Sequence, residues 1–132
     1  MNILLDAMGG DNAPDANIKG ALKTINQIKA DITLIGKEEI IRQKIKEFTG
    51  KEMEEVSPKF KIKNATETIE MEDQPTMAIK HKKDSSMVVG FKMLKEGEGD
   101  VFISAGNSGA LLAGATLLVG RIKGIDRPAL AG

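Results

Sequence analysis

The chain has no cysteine, tryptophan or tyrosine, and only one histidine and four phenylalanines among its 132 residues. Without cysteine there is no disulfide, no thiolate metal site and no cysteine nucleophile. With so few aromatics there is no run of flat side chains on which bases could stack. Net charge is also missing, because nineteen Lys and Arg balance nineteen Asp and Glu. The sequence therefore lacks the positive field of a nucleic-acid binder, and no nucleic-acid partner is expected. The longest apolar stretch, ALLAGATLLVG (110–120), falls short of the roughly 18–20 residues needed to cross a bilayer. The N-terminus lacks the charged and then apolar pattern of a secretory signal.

What remains is the composition of a globular chain, 41% hydrophobic and 29% charged, sized for one domain or part of one. Strand and helix patterns alternate along it. NILLD (2–6) reads as a strand, and Pro14 sits where its fixed φ suits a first helical turn. Ile18, Leu22, Ile25 and Ile28 then fall on one helical face. ITLIG (32–36) reads as a buried parallel strand, and KEEIIRQKIKEF (37–48) as a helix with Ile40, Ile41, Ile45 and Phe48 on its stripe. FKIKNA (60–65) alternates like an edge strand, and TETIEMED (66–73) reads as a loop. A short helix is predicted after Pro75 and another from Ser85 or Ser86, burying Met87, Val88, Phe91 and Leu94 and closed by Gly97. DVFISAG (100–106) is the next strand, Asn107–Gly120 an apolar helix, and PALAG (128–132) a strand that has barely begun. The order predicts an α/β fold with a mainly parallel sheet covered by helices on both faces. The expectation is that the chain is truncated, with the rest of its domain absent.

In such sheets ligands gather where strands end and helices begin, and two of these turns are chemically unusual. In DAMGGDNAP (6–14), Gly9 and Gly10 let the backbone approach a ligand, and amides near a helix N-terminus favour an anion. Asp6 would orient a neighbouring group, while Asn12 would either donate a hydrogen bond or cap the helix. The same residues also read as a tight turn with a cap. In SAGNSGALLAG (104–114), Gly106, Asn107, Ser108 and Gly109 bend the chain from a buried strand into an apolar helix. This too is an anion or oxyanion cradle, or a helix capped by Asn107 or Ser108.

Other chemistries fit poorly. Neither turn has the G-x-G-x-x-G or Walker pattern of a nucleotide loop. His81, the single histidine, lies among lysines, and no G-x-S-x-G elbow is present, which argues against a Ser-His-acid triad. Glu67, Glu70, Glu72 and Asp73 read as a solvated charge run and no metal site is expected. Lys80, Lys82 and Lys83, and the group Arg121, Lys123 and Arg127, read either as solvated faces or, since they flank the two turns, as basic groups that attract phosphate or an acidic protein partner.

Four segments together, DAMGGDNAP, QPTMAIKHKKDSSM, SAGNSGALLAGA and GIDRPALA, resemble the bacterial acyl-acyl-carrier-protein:phosphate acyltransferase (PlsX) family, in order from residue 3 to residue 132. Lys80 stands where the family pattern favours arginine, and Ser108 where threonine is common. The resemblance implies transfer of a long-chain acyl group from acyl carrier protein to inorganic phosphate, giving acyl-phosphate. A membrane glycerol-3-phosphate acyltransferase would use that product in phospholipid synthesis. It implies a three-layer α/β/α sandwich similar to isocitrate and isopropylmalate dehydrogenases, a cytoplasmic homodimer associated peripherally with the membrane, and residues 1–132 as the N-terminal portion of one acyltransferase domain. No cofactor or metal is called for. Gly9, Gly10 and Asn12 with Asn107, Ser108 and Gly109 would hold phosphate and the thioester oxygen, with Lys83 or Arg127 supplying charge. The alternatives are a short-chain phosphate acyltransferase of the same fold and a non-catalytic phosphate-binding domain.

Overall fold

A computed structural model describes residues 1–106, 109, 110 and 114. Four strands, β1 (Asn2–Asp6), β2 (Asp31–Gly36), β3 (Phe60–Asn64) and β4 (Val101–Ile103), form one sheet in the order β3-β2-β1-β4. All three pairings are parallel. Helices α1 (Asp15–Thr24) and α2 (Glu38–Thr49), with the short α3 (Met53–Val56), connect the first three strands. The return from β3 to β4 runs through α4 (Pro75–His81) and α5 (Ser86–Lys95).

The strand order explains the layering. Crossovers between parallel strands are right-handed, so helices made while the sheet grows from β1 towards β3 lie on one face. The connection that doubles back past β1 to β4 must place its helices on the other. Two apolar clusters follow from this. Ile18, Ile25, Ile32, Leu34, Ile41 and Ile45 pack on the α1/α2 side, while Leu4, Ile35, Ile79, Val88, Phe91 and Phe102 pack on the α4/α5 side. The result is the expected α/β architecture with helices on both faces of a parallel sheet. Leu4, Leu34 and Ile35 are fully buried, each contributing about 1.5–3 kcal/mol from removal of apolar surface from water.

Local signals place most boundaries. Pro75 opens α4, and the Gln74 side chain accepts from the Met77 amide. The Ser85 hydroxyl accepts from the Val88 amide to cap α5, and Gly97 follows its end with φ of 79°. The α5 stretch from Ser86 to Phe91 is buried on all sides, so its predicted stripe of Met87, Val88 and Phe91 understates how deeply it sits. Leu94 is only partly buried. β3 is an edge strand of the described sheet, as its alternation implied. Two features were not foreseen. The single turn of α3 is held by reciprocal bonds between Glu52 and Glu55. At α1, Pro14 occupies the N-cap and no side chain caps the helix, so Asn12 is exposed and not the cap. The proposed strand at 128–132, and all but three residues of the predicted helix 107–120, lie outside the described residues.

Candidate functional site

The order in which strands join the sheet reverses at β1, with β2 and β3 on one side and β4 on the other, and this opens a crevice at the carboxyl ends of β1 and β4, the position where open α/β sheets bind ligands. Both unusual turns end there. Leu5 pairs with Ile103, so Asp6 and Ser104 leave the sheet side by side. Alternation along the strands turns both side chains to the α4/α5 face. Asp6 is 1% exposed. Its Oδ1 accepts from Ser86 Oγ at 2.6 Å and from the Met8 amide at 3.0 Å, while Oδ2 accepts from Ser104 Oγ at 2.8 Å. The Gly106 amide in turn donates to Ser104 Oγ at 3.1 Å. A single buried carboxylate thus ties together the end of β1, the first residue of α5 and the turn after β4.

The glycines allow this closeness. A Cβ on Gly9 would lie 2.7 Å from Asp6 Oδ2 and 3.0 Å from both the Cα and the N of Gly106. Gly10 has φ of 103°, a left-handed conformation that side chains disfavour. The two turns are therefore in backbone contact, and Gly9 has no room for a side chain at the meeting point. From the other side, Asn17 Nδ2 donates to the carbonyls of Ala7 at 3.1 Å and Gly9 at 2.8 Å. Asn17 and Ser86 carry no motif or spacing in the sequence that marks them for these contacts.

Of the residues singled out from the sequence, Asp6, Gly9, Gly10 and Gly106 converge in this crevice. Asn12 lies in the turn that follows Gly10, and its carbonyl accepts from the Ala16 amide at 3.0 Å. Gly109 is helical and exposed, just beyond the crevice turn in sequence, and Ala110 beside it is fully buried. Asn107, Ser108 and Arg127 lie outside the described residues. Lys83 is exposed, three residues before Ser86. One expected cradle amide, that of Gly106, already has a partner in Ser104, and the Met8 amide beside the glycines is bonded to Asp6.

The lysine cluster divides by role. Lys80 and Lys83 are exposed, but Lys82 Nζ bonds Asp73 Oδ2 at 2.7 Å and the Thr68 carbonyl at 2.8 Å, pinning the 66–73 loop. Asp73 is therefore not simply solvated, and the Lys82 ammonium holds its carboxyl below the usual range. Asp84 Oδ2 accepts from Thr66 Oγ1 at 2.6 Å and the Thr66 amide at 2.9 Å, which lower its pKa likewise. That loop and the β1–α1 turn border a cleft of about 460 Å³ that includes Met8, Gly10, Asp11, Glu70, Glu72 and Lys37. Acid outnumbers base along it, so a phosphate is disfavoured on this side of the turn. A larger depression of about 640 Å³ lies beside the start of α2. There the Asn64 side chain already accepts from the Glu38 amide, at 3.0 Å, and the two turns are not part of it. Among the described residues no helix is long and apolar enough to cross a membrane.

Comparison with known proteins bears on this crevice. A profile of the fatty acid synthesis protein family matches residues 1–132. A protein named phosphate acyltransferase from Acetivibrio thermocellus is 55% identical over 131 residues, covering 98% of this chain and 37% of its own length. Proteins of the same name from Clostridioides difficile and Thermoanaerobacter pseudethanolicus are each 50% identical, over 130 and 132 residues. The chain spans 37% of the length of each of these relatives. With the profile matched from end to end and half of all residues shared with such relatives, the chain belongs to the fatty acid synthesis protein family.

Proposed function

We propose that the protein of which these residues are the N-terminal portion transfers a long-chain acyl group from acyl carrier protein to inorganic phosphate, supplying acyl-phosphate for phospholipid synthesis. The observation that carries this reading is the backbone contact between Gly9 and Gly106. It brings two glycine turns together at the carboxyl ends of β1 and β4, where one small anion would touch both. The names of the relatives support the choice of phosphate as acceptor.

The chemistry asks little of side chains. A phosphate oxygen attacks the thioester carbonyl carbon, the tetrahedral oxyanion collapses, and the thiolate leaves and takes up a proton. Phosphate is already nucleophilic at neutral pH, so the protein supplies positioning and oxyanion stabilisation. Gly9, Gly10 and Asn12 on one turn, with Asn107, Ser108 and Gly109 on the other, hold phosphate and thioester oxygen. Lys83 or Arg127 supplies charge. Asp6 keeps the two turns in place. Direct displacement is preferred over an acyl-serine, because the described serines of the crevice, Ser86 and Ser104, both donate their hydroxyls to Asp6. In the cell the protein works as a cytoplasmic homodimer at the membrane surface, handing its product to a membrane glycerol-3-phosphate acyltransferase.

Hydroxylamine trapping of acyl-phosphate tests the reaction, using the full-length protein with acyl-carrier-protein thioester and phosphate. Hydroxamate that requires phosphate is the expected result. A folded protein that binds phosphate and gives no hydroxamate would instead be a phosphate-binding domain, while turnover confined to acetyl or butyryl donors would make it a short-chain enzyme.

A further inference from the structure

We propose that Ser86 and Ser104 are positioning residues, which act through Asp6 to set the spacing of the two ligand-facing turns. This rests on the acyltransferase reading above. The two serines approach Asp6 from elements 80 and 98 residues away in sequence. Each hydroxyl reaches a different oxygen of the carboxylate, so the carboxyl plane is fixed in both rotation and tilt. Ser86 is 1% and Ser104 5% exposed, so water does not replace either hydroxyl.

The consequence runs along a chain of bonds. Ser104 Oγ donates to Asp6 and accepts from the Gly106 amide, while Asp6 accepts from the Met8 amide. Gly106 leads into Asn107–Ser108, and Met8 leads into Gly9–Gly10. Both turns thus hang from one carboxylate, and Ser86 anchors that carboxylate to the first turn of α5. Ser85, its neighbour, has a local task as the helix cap. Ser86 has none, and its hydroxyl serves the crevice.

The test uses the full-length protein and the variants Ser86→Ala and Ser104→Ala, read in two ways. In kinetics, each variant should raise the KM for phosphate on the order of tenfold, the effect of misplacing one charge-assisted contact. The KM for the thioester should change less than that for phosphate, since only its carbonyl oxygen meets the two turns in the proposed arrangement. In hydrogen exchange, Ser86→Ala should speed exchange of the Gly106 and Met8 amides while the Leu34 and Ile35 amides keep their protection. Faster exchange throughout the protein would mean a merely stabilising role and would overturn the proposal, as would unchanged phosphate KM in a well-folded variant. If the unmutated protein forms no acyl-phosphate, the acyltransferase reading fails. The brace is then decided by exchange alone, and unaltered Gly106 and Met8 rates in Ser86→Ala would sink it.

Discussion

Replacing Gly9 by alanine adds one methyl group at the point where the two turns touch, and its effect can be worked out from the surroundings. The new Cβ would stand 2.7 Å from Asp6 Oδ2 and 3.0 Å from the Gly106 Cα and N, against an ordinary contact of about 3.5–4.0 Å. Two of these neighbours are backbone, and the third is a carboxylate oxygen held by Ser104, so no flexible side-chain tip can swing away. The turns must part by several tenths of an ångström. Overpacking of this kind costs about 1–3 kcal/mol, and straining the Ser104–Asp6 bond adds about 1.5–3 kcal/mol. The expected loss is about 2.5–6 kcal/mol. Gly20→Ala is the internal control. It makes the same chemical change at an exposed position of α1 with nothing within 4 Å, and should stabilise by about 0.5–1 kcal/mol through lower unfolded-state entropy. Urea unfolding of the full-length protein followed by circular dichroism would compare the two. Acyl-phosphate formation should also fall in Gly9→Ala and hold in Gly20→Ala. If Gly9→Ala proves as stable as Gly20→Ala, the two turns are not in contact and the crevice described above is wrong.

Further expectations follow from other parts of the structure. At Gly90 a Cβ would run into the Phe102 ring, which is packed edge-to-face on Phe91 with centroids 5.1 Å apart; Gly90→Ala should therefore cost about 1–3 kcal/mol in thermal or urea unfolding. Lys59 Nζ donates to the carbonyls of Ile25 at 2.5 Å and Ile28 at 2.8 Å, just past the end of α1. Lys59→Met keeps the apolar stem but removes these bonds, and should destabilise by about 1–3 kcal/mol, with faster exchange in the 25–31 connection. Asp84 has its pKa lowered by its bonds to Thr66, so the unfolded chain binds its proton more readily than the folded one. Its contribution is fully present above the ordinary value of 3.8 and disappears as pH falls through the lower folded value. The stability difference between the protein and Asp84→Asn should accordingly be flat at neutral pH and shrink only in that acid range; a difference that changes near pH 7 would contradict it.

Much of the architecture is written locally. The periodicities of 2–6, 32–36 and 37–48, the proline at the start of α4, the serine cap of α5 and Gly97 after it each report a preference that a few neighbouring residues impose on themselves. The four motif segments likewise carried the family resemblance, because their glycines and small polar residues are adjacent in the chain. Where local preference is weak, the sequence was silent. α3 starts from a glutamate, a poor cap that works only because Glu55 answers it. Asn12 had the chemistry of a cap, but the turn of residues 11–14 holds it ahead of the helix start and leaves Pro14 at the cap. What no stretch of sequence could disclose is the strand order that sets β4 beside β1, and with it the meeting of Asp6, Ser86 and Ser104. Those three lie 80 and 98 residues apart, and only the packing of α5 and the reversal of the sheet bring their hydroxyls to one carboxylate. Composition, periodicity and motif thus determined the elements and the family. The tertiary structure decided which of those elements face one another, because long-range contact depends on burying both faces of one sheet and leaves no trace in local spacing.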